Sequence, residues 1–429
     1  MEDRWHDIDL ILNRAGNLVG PGFEPGPELR DLLQSDDTRV LCVGAGGLGC
    51  EILKDLALSG FVNIDVIDMD TIDVSNLNRQ FLFRPRDVGK SKALVAAERI
   101  NARVSGVQVV PHHCRIEEKP AEFYKQFTVI VLGLDSLEAR RYMNSVVCSF
   151  LGFEDDGSTD FSTIKPMVDG GTEGFKGHAR VIYPGYTPCF ECTLWLFPPQ
   201  VKFPLCTLAE TPRTAPHCIE YAHLILWGQV RQGEDFDADN EEHMQWVYQR
   251  ALERSQQYGI PGVTYQLTQG VVKNIIPAIA STNAIISAVC VLEAIKIVTM
   301  CSPGLNNYMM YMGSQGIYTH TVAYERDPKC PICSPGVPLD VEQSMTLKEV
   351  LDKMMVDPVL STLLKKPSVS YGSKNLYVAQ GIFEADTRVN LQKTIGELVP
   401  DERPILTVND KSLSAPMRVM LRFTDKMVM

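Results

Sequence analysis

Gly44, Gly46, Gly47 and Gly49 fall within VLCVGAGGLG, Val40 to Gly49, and the next apolar run ends at Asp68. Glycines at this spacing permit a tight turn and let backbone N–H groups approach a phosphate. A carboxylate at the end of the following strand can hold a ribose hydroxyl. The chemistry implied is nucleotide binding, the alternative being a glycine-rich turn with no ligand. Behind Asp68, the run DMDTIDVSNLNRQFLF supplies Asn76, Asn78, Arg79 and Gln80, and Lys92 follows. A nicotinamide cofactor has no need of such cations. Attack at the α-phosphate of ATP does, because the triphosphate must be held and its charge neutralised by Arg, Lys and Mg2+. Asp135 follows the apolar run Val129–Leu132, where a strand-end carboxylate could hold Mg2+ or else cap a helix.

Cysteines form the second set. Cys189 and Cys192 stand in PCFEC, Cys330 and Cys333 in KCPIC, and each spacing lets two thiolates reach one metal. Four sulfurs would fill a tetrahedral Zn2+ shell and leave no open position, so the site would be structural. Thioredoxin-like redox pairs are the competing reading. Cys206, in KFPLCTLAETPR, reads from its own residues as a buried structural thiol, and so does Cys218 in HCIEY.

These residues need elements to position them. Val40–Val43, Asn63–Ile67 and Val129–Leu132 read as buried parallel strands, and Cys50–Leu58 as a helix ending at Gly60. Residues 5–14 read as a small amphipathic helix with Trp5, Ile8, Ile11 and Leu12 on one side, followed by a Gly/Pro-rich connection from Gly16 to Pro27. Ile275 to Val298 is the longest apolar run, but Pro277, Asn283, Glu293 and Lys296 interrupt it. It reads as a buried helix with Thr282 near its start rather than a membrane span. The acidic tract Gly233–Glu242 reads as a solvated loop, or less simply as a docking surface for a basic partner. After a linker at Ser334–Pro338, a helix at Leu347–Met355, strands near Ser368–Val378 and Arg418–Phe423, and a short helix at Leu391–Leu398 make a separate α+β module.

At 429 residues and 45% hydrophobic, the chain can bury a sizeable core in two or three domains. A formal net charge of -12 argues against nucleic acid as the main partner. The opening MEDRWHDIDL has no signal-peptide core, which points to cytoplasm or nucleus, where cysteines serve as thiols, ligands or nucleophiles.

GAGGLG, DMDTIDVSNLNRQF, VDGGTEGFKGHARV, CFEC, PLCTL and CPIC follow one another in this order, and the resemblance they carry extends over nearly the whole chain. Together they resemble the ubiquitin-activating enzyme family, and within it the branch that acts on the modifier Nedd-eight. The resemblance implies an α/β fold with a Rossmann-like, ThiF/MoeB-like adenylation domain at residues 1–199 and 263–334. It also implies an inserted, mostly helical catalytic-cysteine domain at 200–262 and a C-terminal ubiquitin-like α+β domain at 339–429 that binds the conjugating enzyme. By resemblance, Gly44, Gly46, Gly47 and Gly49 form the nucleotide turn, and Asp68 binds ribose. Asn76, Arg79 and Lys92 contact the phosphates, Asp135 holds Mg2+, and Cys189, Cys192, Cys330 and Cys333 hold structural Zn2+. Cys206 becomes the nucleophile, reversing the reading from its own residues. The resemblance also implies that Arg180, in GFKGHAR, would lie along the path of the modifier's tail and help reject modifiers with an Arg near the C-terminus; a surface salt bridge is the alternative.

The implied reaction has two stages. ATP converts the modifier's C-terminal glycine to an acyl adenylate, releasing pyrophosphate, and the Cys206 thiolate then displaces AMP to form a thioester that passes to a conjugating enzyme. Single-chain members of the family carry two adenylation-like halves, whereas this chain has one glycine turn. A second, adenylation-like subunit is therefore implied, forming a heterodimer. Other readings are a SUMO-type modifier as substrate, an NAD-dependent oxidoreductase, which would leave Arg79, Lys92 and Cys206 without a purpose, and a non-catalytic scaffold.

Overall fold

Apolar strands without alternation must be covered on both faces, and the first sheet is built on that requirement. β1 (Arg39–Val43) pairs in parallel with β2 (Asn63–Ile67), which carries β3 (Gln108–His112) on its far side, and β4 (Val129–Leu132) pairs in parallel with the other edge of β1. β5 (Met167–Glu173) continues parallel to β4. β6 (Lys176–Ile182), β7 (Tyr308–Met312) and β8 (Tyr318–Val322) then add antiparallel strands, giving the eight-stranded order β3-β2-β1-β4-β5-β6-β7-β8. The order reverses between β1 and β4, the place where ligands bind in doubly wound sheets. The computed structural model describes residues 4–15, 19, 22–154, 157–197, 212–238, 240–272, 278–372, 374–380, 384–400, 404–413 and 416–424.

The helix Ala280–Thr299 packs beside Gly47–Leu58 and across β4, β5 and β6. It is the one helix among the described residues long and apolar enough to cross a membrane. Its polar side chains bond inside the protein instead: Thr282 Oγ1 donates to Gly174 O, Ser287 Oγ to Asp55, and Glu293 accepts from Leu305 N. Ile275 and Pro277, at the predicted start of this helix, lie outside the described residues.

The chain divides into two compact units, Phe197–Ala278 and the remainder. The inserted unit is helical, with Ala215–Glu220, Glu241–Gln257 and Tyr265–Val272 around a core containing Cys218, Ile219, Met244, Val247 and Val272. The boundary expected at 262/263 is therefore displaced. Val263 and Val272 are buried in the inserted unit's core, so the chain re-enters the larger unit at Ile279. Within the acidic tract, Asn240 caps the helix Glu241–Gln257 by accepting from Glu242 N and His243 N. At the N-terminus the helix His6–Leu12 buries Leu12 and packs Trp5 and Ile8 against the core. Ile11, expected on that apolar side, is exposed.

The C-terminal module is a five-stranded sheet in the order β11-β10-β12-β13-β9. Its strands are β9 (Val337–Val341), β10 (Ser368–Tyr371), β11 (Lys374–Tyr377), β12 (Ile405–Asn409) and β13 (Met417–Phe423), and the helix Leu347–Val356 contributes to the module's core. First and last strands pair in parallel, Val337 with Val419, as a ubiquitin-like α+β fold requires. β9 begins inside the expected linker, leaving Ser334–Gly336 as the connection. Thr346 and Glu349 form a reciprocal cap at the start of Leu347–Val356. Thr346→Ala is expected to destabilise this module by about 1 kcal/mol, read as a lower urea midpoint for exchange of its amides; an unchanged midpoint would remove the cap from the account.

Candidate functional site

The turn after β1 is set by three glycines in mutual contact. Gly44 has φ +99°, and a Cβ on Gly49 would stand 1.9 Å from the Gly44 carbonyl oxygen, while one on Gly44 would meet Gly133 O at 2.7 Å. Only bare backbone packs this closely, and it brings the β1 turn against the end of β4. Asp68, just past β2, clamps the turn: Oδ2 accepts from Ala45 N at 2.7 Å and Oδ1 from Asp70 N at 2.8 Å. Burial raises its pKa against those hydrogen bonds and the nearby charge of Lys92.

The expected cations surround this turn. Lys92 is buried with its ammonium 2.8 Å from Asp70. Arg79 donates to Ser75 O, and its Cγ lies 3.4 Å from where a Gly47 Cβ would be. Asn76 is committed locally, its Oδ1 accepting from Asp73 N at 2.9 Å. Gln80 and Asn283 are both buried beside the glycines, each with one side-chain atom, Oε1 and Nδ2, that has no hydrogen-bond partner among the described residues. Asn283 was not expected here: it arrives from the helix Ala280–Thr299, far along the sequence. Asp135 is exposed past β4, and the capping alternative goes to Ser136, whose side chain accepts from Ala139 N.

Beneath that strand end lies a charge cluster no motif indicated in full. Asp169 on β5 is fully buried and sits opposite Arg180 on β6. Its Oδ1 accepts from Arg140 Nε and its Oδ2 from Arg180 Nε, both at 2.9 Å. Arg140 also donates to Leu134 O and Gly170 O, which ties the cluster to the loop carrying Asp135. Burial alone would raise the Asp169 pKa, but the guanidinium groups of Arg140 and Arg180 outweigh it and hold the carboxyl far below the usual range. The surface salt bridge considered for Arg180 is in fact a buried one, extended by a 2.7 Å bond to Thr193 Oγ1 and by the Phe190 ring.

The two CxxC pairs converge. Sγ–Sγ distances are 3.7 Å for Cys189–Cys192, 3.7 Å for Cys189–Cys330 and 3.5 Å for Cys192–Cys333, and all four sulfurs lie within 4.8 Å of one another. Zn–S bonds of about 2.3 Å place tetrahedral sulfurs roughly 3.8 Å apart, so the cluster fits zinc and is a poor match to two separate redox pairs. Asn144 braces it, donating to Cys189 Sγ at 3.5 Å and accepting from Phe190 N at 2.8 Å. Arg141 adds a two-point ion pair to Glu191. Such outer groups are invisible in a cysteine-spacing motif.

Cys206 lies outside the described residues. Cys218 is fully buried in the inserted unit's core, with burial raising its thiol pKa, in keeping with packing as its role.

A model of the ThiF family matches residues 26–332, and one of the E2 binding domain matches 340–423. A NEDD8-activating enzyme E1 catalytic subunit of Arabidopsis thaliana is 60% identical over 93% of this chain and 87% of that protein. Its counterpart in Dictyostelium discoideum is 50% identical over 98% and 96%. A SUMO-activating enzyme subunit 2 of Dictyostelium discoideum is 42% identical, but over 46% of this chain and 28% of that protein. Glycine turn, paired carboxylate and cations, cysteine cluster and C-terminal module thus occur together in one continuous match, and the chain belongs to the ThiF family, in the group of NEDD8-activating enzyme E1 catalytic subunits.

Proposed function

We propose that this chain, with a second adenylation-like subunit, uses ATP to activate the C-terminal glycine of a ubiquitin-like modifier, NEDD8, and transfers it through a thioester to a conjugating enzyme. The observation that carries this is the meeting of the glycine turn, Asp68, Arg79 and Lys92 at the reversal point of the sheet. Backbone N–H groups of the turn and the positive end of the helix Gly47–Leu58 receive phosphate oxygens. Asp68, already held by two backbone N–H groups, takes the ribose hydroxyl. Lys92, steered by Asp70, and Arg79 neutralise charge that develops as pyrophosphate leaves. Asp135 would hold Mg2+, which supplies further neutralisation of the triphosphate.

The carboxylate of the modifier attacks the α-phosphorus, giving the acyl adenylate and pyrophosphate. Cys206 as thiolate then attacks the acyl carbon and AMP departs, so the carboxyl carbon exchanges its mixed-anhydride bond to the AMP phosphate oxygen for a bond to sulfur. Arg180, buried and neutralised by Asp169, offers no free like charge to a modifier's tail, so any part it has in modifier choice would run through the packing of β5 and β6 that it holds in place. The four cysteines would hold Zn2+ as a structural staple with no open coordination position. The C-terminal module docks the conjugating enzyme that accepts the thioester.

Because one chain carries one glycine turn, the partner supplies part of the adenylation site. Pyrophosphate exchange with Mg-ATP and NEDD8 is expected to be weak for the chain alone and to rise roughly a hundredfold or more when the partner subunit is added, the scale of supplying missing electrostatic groups. Full exchange by the isolated chain would overturn the heterodimer reading.

A further inference from the structure

Arg418, near the start of β13, is a buried cation that no carboxylate neutralises among the described residues. It is 8% exposed, and its hydrogen bonds are long ones to backbone carbonyls, Ser334 O at 3.5 Å and Leu151 O at 3.4 Å. Phe153 presents its ring 5.4 Å from the guanidinium. These contacts are weak payment for burying a full charge, since an ion removed from water requires a counter-charge or several strong hydrogen bonds. Burial pushes the pKa of its guanidinium down, opposed by the nearby thiols of Cys148 and Cys333. Cys333 belongs to the four-sulfur cluster, and Ser334, which Arg418 contacts, follows it directly.

Four thiolates around a divalent ion carry a net charge of about minus two. Cys189, Cys330 and Cys333 are buried, so that charge sits in a medium of low polarity and favours an adjacent cation. The chain path makes the adjacency rigid. A Cβ on Gly336 would be 2.5 Å from the Arg418 carbonyl oxygen, and Val337 enters the sheet opposite Val419, so the linker leaving the cluster presses directly on the Arg418 backbone. Arg326, the other arginine at this knuckle, reaches Cys333 O at 3.5 Å but is only half-buried and can be solvated.

We propose that Arg418 is the counter-ion of a zinc–tetrathiolate centre formed by Cys189, Cys192, Cys330 and Cys333, and that this pairing anchors the last strand of the C-terminal module to the adenylation unit. Arg418 is thus a positioning residue: it touches no substrate, and metal occupancy and seating of the module stabilise each other. The proposal rests on zinc as the occupant of the cluster.

The test uses the full chain in complex with its partner subunit. Zinc content is measured first, then zinc affinity by competition with a chromogenic chelator, for wild type, Arg418→Met, Arg418→Lys and Arg326→Met. Arg418→Met is expected to weaken zinc binding about ten- to a hundredfold, the range for groups just outside a metal's ligands. Arg418→Lys should recover most of that loss, and Arg326→Met should change affinity little. Equal affinity in wild type and Arg418→Met would overturn the proposal, as would a loss in Arg418→Lys as large as in Arg418→Met. Zinc absent from the purified wild type would instead overturn the metal assignment itself. A reciprocal measurement needs no variant: stripping zinc from wild type should accelerate hydrogen exchange at Val337 and Val419, and unchanged exchange there would refute the coupling.

Discussion

Cys206→Ala is expected to abolish the reductant-sensitive adduct between the chain and NEDD8 while pyrophosphate exchange stays within about threefold of wild type, because the two half-reactions use different groups. In the proposed reaction adenylation draws on the glycine turn, Asp68, Arg79 and Lys92, none of which requires a thiol. The thioester requires a sulfur nucleophile, and alanine offers none. Cys218→Ala is the internal control. Its thiol is fully buried among Ile219, Met244 and Val247, and burial keeps it protonated, so its removal trims core packing without touching the reaction. The measurement is a non-reducing gel with Mg-ATP, partner subunit and modifier, run beside pyrophosphate exchange on the same preparations. An adduct that survives in Cys206→Ala and disappears in Cys218→Ala would exchange the two roles. Loss of pyrophosphate exchange together with the adduct would show that Cys206 supports the fold of the adenylation site rather than the transfer alone.

Asp169→Ala is expected to destabilise the larger unit by about 3–5 kcal/mol, the usual cost of removing one member of a buried, hydrogen-bonded ion cluster. Two guanidinium groups, those of Arg140 and Arg180, would remain in the interior without their shared counter-ion. Most of the cost is this exposed imbalance, so replacing Asp169, Arg140 and Arg180 together by apolar residues of similar size should recover much of the stability while losing whatever Arg180 does for the modifier. The pH dependence has a definite sign. Asp169 has a depressed pKa in the folded state, so its contribution is fully present above the unfolded value of about 3.9 and fades only as pH falls below that. The gap between wild type and variant in urea midpoint should therefore be constant from neutral pH down to about 5 and narrow only in stronger acid. A gap that closes between pH 7 and 6 would point to His178 rather than to the carboxylate.

The same cluster bears on catalysis through the backbone. Arg140 holds Leu134 O and Gly170 O, so loss of Asp169 would loosen the loop that presents Asp135. A fall in pyrophosphate exchange is expected alongside the loss of stability.

Local spacing and periodicity were enough to read much of this protein. β2 and β4 occupy the ranges expected from their apolar runs, Asn63–Ile67 and Val129–Leu132, and Cys218 is buried on a helix as its surroundings indicated. Short strands and a glycine turn are written in consecutive residues, because side-chain alternation and allowed φ values act over a few positions. The cysteine pairs were legible for the same reason, each CxxC being a local geometry, whereas their union rests on two segments 141 residues apart. Boundaries failed where neighbouring segments compete for the same helix: nothing local distinguishes Tyr265–Val272 packed on the inserted unit from the same helix packed on the sheet. Tertiary structure alone decided that Asp169 pairs with Arg140, that Asn144 steadies Cys189 and that Arg418 reaches the carbonyl of Ser334, the residue after Cys333, contacts spanning 29, 45 and 84 residues. A buried charge in a sequence announces only that it must have a partner, and which partner it receives is settled by the folding that removes both from water.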